Sequence, residues 1–267
     1  MLLDFAIYLG LGAAAGLLAG LLGVGGGMVI VAALAWLLPL RGFPSEHVMH
    51  VALASSVASI VLTSLSSTRA HWRRGSVLWP TVKALAPGML VGGLAGAQLA
   101  SRLPGGVLRF CVAGYCLIAA AQLGFGGVRG DGSGTAVPRG WRLTAAGSGI
   151  GAISAVVGIG GGSMTVPLLV WLGVAPVRAV GTSAACGFAI ALASALGFVI
   201  GGQGAAAGLP AGSAGFVYLP AAAGIALTSI LLAPAGARLA HALSGMALRR
   251  VFAIFLVLVA LAVLRAG

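Results

Sequence analysis

Gly23-Val24-Gly25-Gly26-Gly27 and Gly158-Ile159-Gly160-Gly161-Gly162 are one five-residue pattern written twice, 135 positions apart. Each interrupts an apolar run, 5–40 or 141–173, that is much longer than the ~20 residues a helix needs to cross the hydrocarbon core. Glycine disfavours helix strongly, so four glycines in five positions should break one. The other apolar runs, 47–68, 78–100, 106–124, 178–200, 213–236 and 246–265, are each of crossing length.

The doubling extends beyond the glycines. At the same shift Trp36 falls on Trp171, and a shift of 127 sets Ala52-Leu53-Ala54-Ser55-Ser56 against Ala179-Val180-Gly181-Thr182-Ser183. Further on, Gly96-Ala97-Gln98-Leu99-Ala100 matches Gly236-Ala237-Arg238-Leu239-Ala240, and Arg109 matches Arg249. The chain therefore reads as a first membrane repeat (1–124), a Gly-rich linker (125–140) and a second membrane repeat (141–267).

Composition agrees with lipid as the solvent. Of 267 residues, 60% are hydrophobic and 7% charged, with a mean hydropathy of +1.13. A soluble protein carries roughly 25% charged residues, so soluble enzymes, nucleic-acid binders and disulfide-stapled domains are excluded. The net charge of +12 comes from 15 Lys and Arg against 3 acids; they are scattered over short connections and form no basic stripe with interleaved aromatics. Asp4 stands where a secretory signal would carry positive charge, so no cleaved signal peptide is expected. Cys111, Cys116 and Cys186 read as buried, inert thiols.

Charge placement discriminates between topologies. If each broken segment crosses once, Lys and Arg divide almost evenly between the two sides. If each turns back at its glycines, Arg41, Arg102, Arg109 and Arg265 share one side. Arg69, Arg73, Arg74, Lys83, Arg129, Arg139, Arg142, Arg178, Arg238, Arg249 and Arg250 then share the other. That asymmetry is a positive-inside signal. It predicts hairpins at both clusters and both termini outside the cytoplasm. Each repeat then makes an odd number of passes, so the two are inverted relative to one another, a plan common among secondary transporters. The fold class expected is an all-α polytopic membrane protein built from two inverted repeats.

The doubled Gly-x-Gly-Gly-Gly, the second copy continuing Ser163-Met164-Thr165-Val166-Pro167, and the later Ala179-Val180-Gly181-Thr182-Ser183 resemble the sulfite exporter TauE/SafE family, also called the toluene sulfonate uptake permeases. The resemblance covers nearly the whole chain. It implies an inner-membrane carrier of small sulfur-containing anions or organic acids, such as sulfite or sulfonates. Two positions depart from the motif in the first copy: Ala32 stands where the second has Pro167, and Ser55 where it has Thr182.

The residues themselves suggest where an anion would sit. Beyond each break a new helix begins, and its first N–H groups have no intrahelical partner and carry the positive end of the helix dipole. Such ends are natural anion sites. The candidate substrate-binding residues are Gly25, Gly26 and Gly27, then Gly160, Gly161 and Gly162, with Ser163 and Thr165 adding hydroxyls in the second copy. Ser55-Ser56 and Thr182-Ser183 join them as hydroxyls at matching repeat positions. The alternatives remain open: the glycines also serve tight turns and helix packing, and the hydroxyls also back-bond to helix carbonyls. Gly88, Gly92, Gly93 and Gly96 recur along one run and read as packing residues.

No cofactor, metal or catalytic constellation is expected, so the chain does not read as an enzyme. The acids Asp4, Glu46 and Asp131 lie at segment ends or in the linker, which argues against coupling through an intramembrane carboxylate. His50, at the start of a run, reads as structural. The partners expected are a small anion and the lipid bilayer, not nucleic acid; oligomeric state is not legible. The function expected is secondary transport of a small anion across the cell inner membrane, export before uptake. An anion channel or a non-transporting membrane factor is the alternative.

Overall fold

Proline, glycine and short polar stretches punctuate the apolar runs into helices. The computed structural model describes residues 2–22, 26–125, 137–240 and 245–265; Gly23, Val24, Gly25, and the linker centre 126–136 with Arg129 and Asp131, lie outside the described residues. In order the helices are α1 (Leu2–Leu22), α2 (Gly27–Leu37), α3 (Val48–Trp72), α4 (Trp79–Ala100) and α5 (Gly105–Phe125). They continue as α6 (Trp141–Val157), α7 (Gly162–Trp171), α8 (Pro176–Gly201), α9 (Leu219–Ala240) and α10 (Gly245–Arg265). Pro80 and Pro176 open α4 and α8 in the first turn, where a missing N–H costs no helix bond.

The protein is an all-α, multi-pass membrane protein. Among the described residues, α3, α4, α5, α8 and α9 are long and apolar enough to cross a bilayer. The run 213–236 differs from its reading as one helix. Ser213–Ala214 (β1) pairs antiparallel with Val217–Tyr218 (β2), and helix begins only at Leu219. Gly212 and Gly215, at φ +91° and +55°, hold the left-handed backbone that makes this ribbon possible.

Lipid tails are as apolar as leucine, so helices in a bilayer associate by close approach rather than by burial from water. Here small residues recur every four positions along the contacts. Gly88, Gly92 and Gly96 of α4 lie on Thr144, Ser148 and Ala152 of α6, and Gly12, Gly16 and Gly20 of α1 lie on Ile225, Ser229 and Ala233 of α9. A methyl on Gly16 would come within 2.6 Å of Ser229 Cα. Gly93 is different. It faces α8, where an added methyl would meet Ser194 Oγ at 3.1 Å and Ala193 Cβ at 3.3 Å, a mild squeeze.

These registers give the helix directions. Residue numbers rise together along α4–α6 and α1–α9, and also along α4–α8, where 93, 97 and 101 meet 190, 197 and 201. They rise together along α3–α9 as well, where Ser55 meets Tyr218 and Ser66 meets Ile230. Along α3 and α8 they run oppositely: Ser64 lies by Gly187, Ser76 by Gly181, and His50 stacks on Phe216, whose N–H donates to Phe198. Hence α1, α3 and α9 run one way and α4, α6 and α8 the other. Since α6 and α8 are parallel, α7 must turn back between them. Gly161 meets Ile190, about 20 Å along α8 from its start, and the ten residues of α7 return about 15 Å of that depth. The second broken segment folds back on itself between α6 and α8. The first repeats the geometry: α1 parallels α3, and Gly26 lies back against Ala15.

The candidate anion site at two glycine turns

The second turn is built by glycine conformation. Gly158 ends α6 at φ +74°, with its N–H bonded to Ala155 and that of Ile159 to Ser154, a left-handed helix stop. Gly161 starts α7 at φ +72°. Its carbonyl accepts from the N–H groups of Met164 and Thr165 and from the Thr165 hydroxyl, the last at 2.9 Å. The N–H groups of Gly162 and Ser163 have no backbone acceptor among the described residues. These are the donors a helix start leaves over. In the first turn Gly26 takes φ +67°, and its carbonyl accepts from Val29 and Ile30.

The two turns meet. A methyl on Gly27 would fall 2.6 Å from the Gly158 carbonyl oxygen and 3.1 Å from Ile159 Cα. Between them sits Ser56, fully buried, whose hydroxyl reaches Gly27 O at 3.2 Å and Gly158 O at 2.9 Å. One side chain thus ties both hairpin tips together inside the protein.

The remaining candidates divide by what they touch. Ser55 accepts the Tyr218 N–H at 3.0 Å and Thr182 accepts the Leu78 N–H at 3.0 Å. These repeat mates each hold the residue that leads into α9 or α4. Ser163 meets the Tyr115 hydroxyl at 2.5 Å, Thr165 is turned onto Gly161, and Ser183 is buried in α8. Gly160 and Gly162 are buried in the turn itself, and Gly25 lies outside the described residues. Thr182→Val should therefore leave the Leu78 N–H buried without an acceptor, at a cost of about 1–3 kcal/mol. A clear drop in melting temperature in detergent is the expected result; an unchanged melt would deny the holding role.

Sequence reasoning missed two residues. Ser64 and Ser67 of α3 line a small cavity, about 10 Å³, with Gly160, Ala19 of α1, Ile60, and Ala184 and Gly187 of α8. That is room for the centre of about one water. For Ser67 a signal was present, since the 127 shift that pairs Ser55 with Thr182 also pairs it with Ser194; Ser64 falls on Ala191 and had none. His50 is a structural anchor: Nε2–H donates to the Leu103 carbonyl at 2.9 Å, and the ring stacks on Phe216. The cysteines are all free, Cys116 and Cys186 buried.

Glycine-broken hairpins within a helical membrane frame define a class, and comparison with known proteins assigns the family. The sulfite exporter TauE/SafE family matches residues 8–263, and the chain belongs to it. It is 34% identical over 250 residues to a "probable membrane transporter protein" of Haemophilus influenzae, covering 94% of each chain. It is 31% identical over 111 residues to the "probable membrane transporter protein YdhB" of Bacillus subtilis, covering 39% of this chain and 40% of that protein. No solved structure matches it. Family and relatives alike point to a membrane transporter.

Proposed function

We propose that this protein is a secondary carrier that moves a small oxyanion, sulfite or a sulfonate by preference, across the inner membrane. It works by alternating access of two inverted repeats. The observation that carries the reading is the Ser56 bridge, which joins a hairpin tip from each repeat at one buried point. Opposite directions of the repeat mates α1 and α6, α3 and α8, and α4 and α9 support the inversion. So does the charge asymmetry: Arg73, Arg74, Arg139, Arg142 and Arg178 belong to the side of the α3–α4 and α7–α8 connections.

The start of α7 supplies a positive dipole end and N–H groups that have no backbone acceptor among the described residues. Such a site favours an anion without a fixed cation. Gly26, Gly27, Gly160, Gly161 and Gly162 let the ligand approach the backbone. Ser55 and Thr182 serve it indirectly, by fixing α9 and α4. With the cytoplasm negative, outward movement of one charge gains ~2.3 kcal/mol per 100 mV, so export needs no coupling ion.

Counterflow tests the reading. Purified protein in liposomes preloaded with unlabelled sulfite should accelerate entry of labelled sulfite. Entry that ignores the internal load would mean a pore, and no entry of sulfite, methanesulfonate or acetate would remove the carrier assignment altogether.

A further inference from the structure

We infer that Ser67 is a substrate-binding residue, and that the cavity it lines with Ser64 and Gly160 is a subsite selecting small monoanionic oxyanions. The inference rests on the carrier reading above and goes further by naming the group that meets the substrate and the charge it tolerates.

Ser67 is 2% exposed, and its hydroxyl has no hydrogen-bond partner. A buried hydroxyl without a partner is a net cost to the fold, so its presence at this point calls for a use. The adjacent Thr68 hydroxyl also lacks a partner but is not part of the cavity wall. The hydroxyls earlier on α3 behave otherwise: Ser64 donates to the Ile60 carbonyl at 2.7 Å, Thr63 to Ser59 at 3.0 Å and Ser59 to Ser56 at 2.7 Å. Those donors are spent on the helix, which leaves the Ser64 oxygen in the wall and the Ser67 O–H as the donor on offer. Gly160 stands in the same wall, at the turn after which α7 begins with N–H groups that have no backbone acceptor among the described residues. Gly187 opens the opposite side; a methyl there would lie 3.0 Å from the Gly160 carbonyl oxygen.

None of the lining side chains ionises. Neutral donors can replace part of the hydration of a single charge. The desolvation cost rises steeply with charge, and no lining side chain carries a positive charge to offset a second one. The nearest buried ionisable group on the same helix, His71, lies one turn beyond Ser67 with Nε2 against the Gly20 carbonyl. The subsite therefore suits hydrogensulfite, a sulfonate or a monocarboxylate, and disfavours sulfate. At about 10 Å³ the cavity has room for about one water, so a multi-atom anion enters only as α1 or α8 shifts against α3.

The test is transport by the intact protein and by Ser67→Ala in proteoliposomes, with labelled sulfite near pH 6, methanesulfonate and sulfate as probes, alongside thermal melts. Wild type should carry sulfite and methanesulfonate well ahead of sulfate. Ser67→Ala should melt at or above the parent temperature while its KM for both monoanions rises roughly ten- to a hundredfold, the worth of a hydrogen bond to a charged group. Ser67→Thr, which keeps the hydroxyl, should recover part of that loss. An unchanged KM in Ser67→Ala overturns this inference alone, and so does sulfate carried as well as sulfite. Absence of any wild-type flux overturns the carrier reading and this one with it.

Discussion

Gly26→Ala is expected to abolish transport and to lower stability sharply. The residue sits at φ +67°, where a side chain costs ~1–2 kcal/mol in backbone conformation alone. The new methyl would also lie 2.8 Å from Ala15 Cα and in closer conflict with the Ala15 carbonyl oxygen. Backbone cannot step aside as a side chain can. Gly161→Ala carries the same conformational penalty at φ +72°, but its conflict is with the flexible end of Ile190 and with Ser154 Oγ at 3.1 Å. It should fold with a smaller loss and still fail to transport, because the methyl occupies the approach to the α7 donors. Gly93→Ala, meeting its neighbours at 3.1–3.3 Å, should keep both flux and most of its stability. Melting curves in detergent and initial rates per folded molecule measure all three. Parental flux in folded Gly161→Ala would show that the turn is architectural and that the anion binds elsewhere.

Ser56→Ala should be the second severe change. It removes the one hydroxyl shared by the Gly27 and Gly158 carbonyls, and stranding such buried acceptors costs about 1–3 kcal/mol. The two tips would then be held by packing alone. Counterflow per folded molecule should fall several-fold, with a lowered melting temperature, while Ser56→Thr should restore most of both. Ser56→Ala with parental melting and parental counterflow would mean that the bridge contributes nothing.

The breaks at both glycine clusters were legible in the sequence because four glycines in five positions interrupt apolar runs too long for one crossing, and helix stops at both. Packing along α4 was legible for Gly88, Gly92 and Gly96, whose four-residue spacing presents one helix face. Gly93 was read with them as a packing residue, and only the structure shows that it faces α8 rather than α6. The ribbon before α9 was hidden because Ser213–Tyr218 is as apolar as the helix that follows; only the conformation of Gly212 and Gly215 distinguishes it. The hydroxyls were the hardest to read. Ser55, Ser56, Ser64 and Ser67 are chemically identical and all buried in α3. One holds an N–H, one ties carbonyls, one bonds its own helix and one has no partner. That assignment depends on which atoms the other repeat places beside them, which no local pattern encodes.

The exchange of contacts between halves bears on how the protein is made. Tyr218 is held by Ser55 and Leu78 by Thr182, while the small-residue faces of α1 and α4 find their complements on α9 and α6. The first half therefore leaves the ribosome with its best packing surfaces unmatched, and it waits in the bilayer until the second half is synthesised. During that interval it is an orphan subunit, exposed to membrane proteases and to pairing with a second nascent copy. Assembly is in effect that of a heterodimer whose subunits share a tether. Severing the tether after insertion should be harmless, whereas stopping synthesis before α6 should leave a fragment that the cell degrades.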